Sequence, residues 1–447
     1  MLGLRRARVG VGPLVLASLL CSSGCGGLSP GPGPWTKTEA GNGAPGGSAA
    51  PSLAPGAGGD PAPVEPPPVI DAGGVFDSGG GEPGRPGPMP VDPSADSDDV
   101  YGTEVARADS YWVARGRIFR GRDEVRLHGI NWFGLETQTL ALFGPNQGGG
   151  SVANMLAQLE SLGFNALRVP LAPESIEAGT PSMAWANRGA IDTGREHFEE
   201  LIAAASSAGM YMLFDVHTCA AVVGHVKSGP ADPRCSAYGI EPWLADLGAL
   251  AELAEQHAPS VVGIDLFNEP YGLTHEDWRD LVGRAARAVL ERNPRILVFV
   301  EGIGGMGYGG VYSPFWGENL TGVTGGPFDV PAARLVYSPH AYGPSISDQA
   351  YFRQSTFPSN MPDLWDEHFG YLFERDQPVV VGEFGGRYMG QDQIWQDAFV
   401  DYLIDNDAHS FFYWSLNPNS GDTGGLLQDD WRTVNQAKLA LLQRLMR

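Results

Sequence analysis

Val261-Val-Gly-Ile-Asp-Leu-Phe267 runs directly into Asn268-Glu269-Pro270, and Pro378-Val-Val-Val381 runs directly into Gly382-Glu383-Phe384-Gly385. Both apolar runs are rich in β-branched residues, which favours buried strands. Glu269 and Glu383 are 114 residues apart in the chain, so the two strands are separate elements. If both strands belong to one parallel barrel, the two carboxylates meet at the face where the carboxyl ends of the strands converge.

The surrounding sequence alternates strand-like and helix-like segments. We predict eight strands, at Val125–Asn131, Ala166–Pro170, Tyr211–Val216, Val261–Phe267, Ile296–Glu301, Leu335–His340, Pro378–Glu383 and Ser410–Ser415. Amphipathic or alanine-rich segments between them predict helices, including Val152–Leu162, Glu196–Ala208, Leu244–Gln256 and Trp278–Glu291. Several strands are apolar throughout, which indicates a parallel sheet that is covered on both faces. The pattern therefore predicts an α/β fold, a (β/α)8 TIM barrel. A doubly wound open sheet is the alternative, but no G-x-G-x-x-G follows the first strand.

The first hundred residues differ in composition from the rest. Residues 1–25 combine a basic start with a short apolar run, as a signal peptide does, and Ser22-Ser23-Gly24-Cys25 is similar to a bacterial lipoprotein cleavage box. Ser22 departs from that pattern, where leucine is usual. Residues 26–100 contain 18 Gly and 16 Pro, which predicts a disordered linker. We therefore expect an exported protein, either secreted or held at the cell surface or outer membrane through a lipidated Cys25, with ordinary cleavage nearby as the alternative to lipidation.

The folded domain is predicted to span residues 101–447. A turn at Arg115-Gly116 separates Tyr111–Val113 from Arg117–Phe119, which predicts a short hairpin before the barrel. Export makes a disulfide between Cys219 and Cys235 plausible, and two unpaired thiols are the alternative.

The balance of charge limits the choice of partners. The chain has 29 Lys and Arg residues against 52 Asp and Glu residues, a formal net charge of −23. Such a surface repels nucleic acid and anionic lipid headgroups and suits a neutral or cationic partner. We expect a monomer that does not bind nucleic acid.

Polar and aromatic residues stand where each predicted strand ends. In strand order they are Asn131 and Trp132, Arg168, Asp215 and His217, Asn268 and Glu269, Glu301, His340 and Tyr342, Glu383, and Trp414 and Asn417. Since a rim built only for stability would not gather so many titratable groups, the pattern predicts an active site. The two glutamates are the pair that acid-assisted cleavage of a glycosidic bond requires. For Glu301 a structural ion pair is at least as plausible as a position in the cleft. No tightly spaced ligand set such as H-E-x-x-H occurs, so we expect no metal and no cofactor.

Seven strings follow one another in the order of the strands. They are His128-Gly-Ile-Asn-Trp-Phe-Gly-Leu-Glu-Thr137, Asn165-Ala-Leu-Arg-Val-Pro170, Asp215-Val-His217, Leu266-Phe-Asn-Glu-Pro270, Ser338-Pro-His-Ala-Tyr342, Gly382-Glu-Phe-Gly385 and Trp414-Ser-Leu-Asn-Pro-Asn-Ser-Gly-Asp-Thr-Gly-Gly425. This ordered set resembles the endoglucanases of glycoside hydrolase family 5, and its last string resembles the bacterial cellulase branch. The resemblance implies a retaining endo-β-1,4-glucanase that acts on a β-glucan. Two alternatives stay open: the same chemistry on mannan, xyloglucan or mixed-linkage glucan, and a surface protein that binds glycan without cleaving it.

The resemblance also implies the roles of the catalytic residues. Glu269 would act as general acid and then as general base, whereas Glu383 would be the nucleophile that forms a glycosyl-enzyme. Asn268 would bond the sugar 2-hydroxyl. Arg168 and Tyr342 would keep Glu383 ionised through a positive charge and a hydrogen bond.

Further residues are expected to bind the sugar. His217 and His340 would shape the site and donate hydrogen bonds to substrate or to the carboxylates. Trp414 would stack under the sugar at the cleavage point, and Trp132 and Trp316 would extend this platform. The other tryptophans are predicted to pack in the core.

Overall fold

The computed structural model describes residues 108–221, 238–304 and 314–447. The predicted signal peptide, the linker, Cys25 and Cys235 lie outside these ranges. Cys219 is disulfide-bonded, but because Cys235 is not described, its pairing with Cys219 stays a prediction. No helix in these ranges is long and apolar enough to cross a membrane.

The strands form two sheets. They are β1 Tyr111–Ala114, β2 Arg117–Arg120, β3 Asp123–Val125, β4 His128–Asn131, β5 Ala166–Leu171, β6 Tyr211–Val216, β7 Val261–Asp265, β8 Leu297–Val300, β9 Leu335–Tyr337, β10 His340–Tyr342, β11 Val381–Gly385 and β12 Phe411–Tyr413. Strands β1 to β3 make a small antiparallel sheet. The others make one parallel sheet in the order β10-β11-β12-β4-β5-β6-β7-β8-β9. The parallel sheet confirms the predicted barrel.

The barrel closes through a broken strand. The predicted sixth strand consists of β9 and β10, which are interrupted at Ser338 and Pro339. β9 pairs with β8, β10 pairs with β11, and a bridge joins Tyr337 to Val379 just before β11. Proline has no N–H for a strand ladder, which accounts for the break. Counted as one strand, the two halves complete an eight-stranded barrel.

The small sheet covers the amino-terminal end of the barrel. The N–H of Tyr111 donates to the carbonyl of Arg295, and the N–H of Val113 donates to that of Ala333, just before β8 and β9. Val125 belongs to this sheet, so the prediction that it starts the first barrel strand was wrong. The predicted hairpin is present, but a third strand extends it.

Helices follow the strands and pack around the barrel. They are α1 Val152–Ser161, α2 Pro173–Ile176, α3 Gly194–Ser207, α4 Ile240–Gln256, α5 His275–Leu290, α6 Met361–His368, α7 Gln391–Asp405 and α8 Gln436–Leu445, with short 3-10 turns at Pro145–Gln147, Ala184–Ala186, Thr321–Gly325, Ala350–Arg353 and Gly370–Arg375. Thr193 with Glu196 caps α3, and Thr274 with Asp277 caps α5. The predicted starts of α3 and α5, Glu196 and Trp278, lie inside the observed helices. The capping residues that begin these helices are polar, so the apolar periodicity used for the prediction does not reveal them.

Most tryptophans that we assigned to the core are buried there. Trp243, Trp278, Trp365 and Trp395 have at most 1% of their surface exposed. Within the described ranges Trp185 is the exception, with 45% of its surface exposed.

Candidate active site

Glu383 lies on β11 between two hydrogen-bond donors. Its Oε1 accepts from Nη1 of Arg168 at 2.6 Å, and its Oε2 accepts from the hydroxyl of Tyr342 at 2.5 Å. Burial and the negative charge of Glu383 raise the pKa of Tyr342 well above its usual range, so the phenol keeps its proton and donates it. The structure thus brings Glu383 together with both residues that the sequence assigned to it.

Glu269 follows β7 and has a different environment. Its φ is +47°, an uncommon value for a residue other than glycine, asparagine or aspartate. Its N–H donates to Oε2 of Glu301 at 2.7 Å, and its Oε1 lies 3.3 Å from Nδ1 of His340. Glu301, at the end of β8, is fully buried. This fixed carboxylate supports the backbone turn that presents Glu269, so the ion-pair interpretation of Glu301 holds and its place in the open cleft does not.

The two glutamates are close together. One carboxylate oxygen of Glu269, one of Glu383 and a ring nitrogen of His340 lie within 4.8 Å of one another. Glycosidases that form a covalent intermediate hold their carboxyl groups about 5–5.5 Å apart, whereas those that activate a water directly need about 6.5–9.5 Å. An oxygen-to-oxygen spacing of at most 4.8 Å is shorter than both ranges, and it places the two carboxyl groups within reach of one glycosidic bond.

Arg168 is the fully buried centre of the site. Its guanidinium contacts four carboxylates, those of Asp215 at 3.1 Å, Asp265 at 3.0 Å, Glu301 at 3.0 Å and Glu383 at 2.6 Å. It also donates to the amide oxygens of Asn131 at 3.1 Å and Asn268 at 3.0 Å. Arginine stays protonated in proteins, so this is a permanent positive charge. It orients Asn268 beside Glu269 as well as holding Glu383.

The surroundings of His340 favour its protonated form. Burial opposes its protonation, but the carboxylates of Glu301 and Glu383 outweigh burial and raise its pKa well above the usual value. Its Nε2 lies 3.2 Å from Oε1 of Glu301, on the opposite side of the ring from Glu269. Burial likewise raises the pKa of Asp265 to about 7 and the pKa of Glu301 well above its usual range. Arg168 and His340 together face four buried carboxyl groups, so the raised pKa values of Asp265 and Glu301 reduce the excess negative charge of the site.

His217 and Trp414 form one stacked unit. The Nδ1 of His217 lies 2.7 Å from Oδ2 of Asp215, which fixes the ring. The imidazole and the indole of Trp414 are stacked, with 5.6 Å between centroids and 9° between planes. Trp414 is half-buried and donates its Nε1–H to Ser420 at 3.3 Å. The ring of Trp414 is thus held by its neighbours, while part of the indole stays accessible.

Trp316 and Trp132, the other two residues predicted to stack on the sugar, differ in burial. Trp316 is half-buried and meets Tyr271 edge to face, with 5.5 Å between centroids. Trp132 is fully buried, and its Nε1–H donates to the carbonyl of Phe143 at 2.9 Å. This burial contradicts the predicted sugar contact of Trp132. Its neighbour Phe133, which is half-buried, is instead the residue stacked beside Trp414, at 5.5 Å with 10° between planes.

The sequence did not single out Glu136 as a residue of the site. It is 7% exposed, and its Oε2 accepts from the N–H of Gly134 at 2.7 Å. Burial raises the pKa of Glu136 to about 8, and the charges of Asp215 and Glu383 act in the same direction. Its place in the His128–Thr137 string is the signal that could have found it, but it does not stand at a strand end, where the other site residues do.

Among the residues that the structure describes, two groups of side chains have the geometry to hold a cation. They are Asp265 with Glu301 and His340, and Glu269 with His340 and Glu383. Both share His340, whose charge and contacts already pair it with these carboxylates. The expectation that no metal takes part stays a prediction.

Known proteins resemble this chain over the barrel. Residues 123–420 match the model of the family described as cellulase (glycosyl hydrolase family 5). The major extracellular endoglucanase of Xanthomonas campestris pv. campestris is 38% identical over 341 residues, which cover 72% of this chain and 68% of that protein. The endoglucanase of Paenibacillus polymyxa is 37% identical over 78% of this chain and 91% of its own length. A cellotetraose complex of the endocellulase from Pyrococcus horikoshii superposes with a TM-score of 0.68 at 34% identity, covering 76% of this chain and 99% of that one.

Proposed function

Because the chain belongs to glycosyl hydrolase family 5, we propose that it is a retaining endo-β-1,4-glucanase in which Glu269 is the acid and base and Glu383 the nucleophile. The membership confirms the resemblance expected from the sequence, and the protein is a glycoside hydrolase. Two relatives are endoglucanases, and a third was bound to cellotetraose, which supports a β-1,4-glucan as substrate. The observation that carries the assignment is the pair of close carboxylates in unlike surroundings.

The first chemical step forms a covalent intermediate. Glu383 attacks the anomeric carbon while the protonated carboxyl of Glu269 gives its proton to the glycosidic oxygen. The bond between that carbon and oxygen breaks, and the part of the glucan on the leaving side departs with a free hydroxyl. Glu383 is now esterified to the sugar and Glu269 is a carboxylate.

The second step releases the other product. Glu269 takes a proton from a water molecule, whose oxygen attacks the same anomeric carbon and displaces Glu383. The sugar regains the β-configuration, and both glutamates return to their starting states. Two inversions at one carbon give net retention.

Neighbouring residues stabilise the charges that develop on the two glutamates and on the sugar. Arg168 and Tyr342 stabilise the negative charge of Glu383 before attack and receive it again when the ester breaks. Asn268, oriented by Arg168, is placed to bond the sugar 2-hydroxyl as the ring approaches an oxocarbenium ion. The charged His340 donates toward Glu269, which stabilises that residue after it has lost its proton.

Replacing the nucleophile tests the proposal. We expect Glu383→Gln to lower kcat on carboxymethyl-cellulose by at least about 10³-fold. The variant lacks the nucleophile, so only substrate binding and polarisation still accelerate the reaction. Reducing-sugar release measures the rate, and proton NMR of the first wild-type product should show the β-anomer. A fully active variant, or initial release of the α-anomer, would refute the two-step route.

A polysaccharide panel identifies the preferred glycan. Cellulose derivatives, mannan, xyloglucan and mixed-linkage glucan share the chemistry and differ in the contacts that they make with the loops of the rim. If mannan or xyloglucan is hydrolysed fastest, the proposed mechanism stands and the proposed substrate is replaced by that glycan.

We further propose that the protein is exported and that Cys25 becomes its lipidated first residue. The proposal is supported by the basic and apolar start and by the Ser22-Ser23-Gly24-Cys25 string. The Xanthomonas relative is described as extracellular. The Gly- and Pro-rich linker would then hold the barrel away from the membrane surface.

A further inference from the structure

A series of aromatic rings leads away from the catalytic carboxylates. Trp414 is stacked beside Phe133, which meets Phe143 edge to face at 5.8 Å and 71°. Phe143 in turn stacks on Trp185, with 5.9 Å between centroids and 28° between planes. Centroids in this series are therefore separated by steps of 5.5 to 5.9 Å.

Trp185 is exposed, yet its position is well defined. It is the most exposed tryptophan in the described ranges, with 45% of its surface accessible. The amide of Asn146 donates to the carbonyl of Trp185 at 3.0 Å and to that of Ala186 at 2.8 Å. These bonds tie the loop before α3 to the loop before α1. An exposed indole on an anchored backbone loses little conformational freedom when a ligand covers it.

The position of the aromatic rings relative to Glu269 indicates which end of a bound glucan they would contact. Trp414, Phe133 and Trp185 follow β12, β4 and β5, which are consecutive in the barrel sheet. Glu269 follows β7, and its neighbour Tyr271 contacts Trp316 after β8. The acid protonates the leaving oxygen, so the departing, reducing-end part of the glucan lies on the side of Tyr271 and Trp316. The aromatic series lies on the other side.

We propose that Trp185, backed by Phe143, is an outer binding platform for a glucosyl unit on the non-reducing side of the cleaved bond. The proposal rests on the proposed glucanase function and deepens it. A pyranose presents a face of C–H groups that packs on an aromatic ring, and Trp185 offers such a ring at the end of the series. The ligand is a β-1,4-glucan long enough to reach past Phe133 and Phe143, so short oligosaccharides do not contact it.

Chain-length dependence tests the platform. We expect Trp185→Ala to lower kcat/KM for cellohexaose by about tenfold, the loss of roughly 1.4 kcal/mol of apolar contact, with the change mainly in KM. Cellotriose should be cleaved at the wild-type rate. Trp185→Phe keeps a ring and should recover most of the loss.

The cleavage pattern gives a second readout. With cellopentaose labelled at its reducing end, Trp185→Ala should shift cleavage toward the non-reducing end, because long non-reducing segments lose their platform. Trp316→Ala, on the leaving side, should shift cleavage in the opposite direction. Ile394→Ala serves as the control, since Ile394 is 45% exposed on α7 and belongs to neither platform.

The outcomes separate this proposal from the proposed function. If Trp185→Ala matches wild type and Ile394→Ala in both chain-length dependence and cleavage pattern, the platform is refuted while the catalytic assignment stands. An equal loss on cellotriose and cellohexaose would also refute it, since it would indicate damage to the catalytic centre. Full activity of Glu383→Gln would instead overturn the underlying mechanism.

Discussion

Glu269 and Glu383 are chemically identical side chains, and their neighbours give them different roles. Glu383 faces a permanent cation, Arg168, and a phenol that keeps its proton. Glu269 instead approaches His340 and is carried on a left-handed backbone turn. Strain of this kind persists at functional sites when the surroundings fix it. In the proposed mechanism, these contacts therefore distinguish the nucleophile from the acid.

Glu136 gives a prediction about pH and stability at this scale. Its pKa is about 8 when folded and about 4.3 when unfolded, so between these pH values the folded state binds more protons. The stability that the protonated carboxyl contributes is therefore complete below pH 4 and is lost as pH rises toward 8.

Glu136→Gln removes this dependence. As the pH rises from 5 to 8, we expect the free energy of unfolding of the variant to increase by about 2–4 kcal/mol relative to that of the wild type. Urea unfolding of both proteins at the two pH values measures the difference. An offset between the two proteins that is the same at both pH values would contradict the raised pKa.

At the scale of elements, neighbouring strand ends position one another's residues. Glu301 at the end of β8 accepts from the N–H of Glu269 after β7 and from Nη2 of Arg168 on β5. It also faces Nε2 of His340 on β10. Because each donor needs an acceptor, the carboxylate cannot be exchanged for an amide without turning an NH2 group toward a donor.

Glu301→Gln should therefore slow the reaction although Glu301 is buried away from the cleft. We expect kcat to fall by about 10²-fold through displacement of Glu269, with KM changed little. Steady-state kinetics on a soluble cellulose derivative measures both constants, and circular dichroism checks the fold. Glu241→Gln is the control, because the Glu241 side chain is 81% exposed on α4. Wild-type kcat in Glu301→Gln would show that the contact to Glu269 does not position it.

At the scale of the whole molecule, the closed barrel brings distant parts of the chain to one face. The small sheet covers the amino-terminal end, while the strand ends and the aromatic series occupy the opposite rim. A neutral polymer suits a chain with a net charge of −23, since a neutral ligand is not repelled by it.

The amino-terminal segment is also tested at the scale of the whole chain. If Cys25 is lipidated, cells that produce the full chain and are fed radiolabelled palmitate should yield a labelled, membrane-associated protein. Cys25→Ala should abolish the label and release active enzyme. An unlabelled wild-type protein would leave export by ordinary cleavage as the explanation.

The sequence by itself determined the barrel, the two glutamates and most of their partners, because buried parallel strands are apolar throughout and end at one rim. Strand ends also predicted Arg168, His340 and Tyr342, since a residue's position on a strand sets where it emerges. Only the tertiary structure decided the burial of Trp132 and Glu136 and the exposure of Trp185. Those properties depend on loops from different strands packing against one another, and no local pattern records which loops meet.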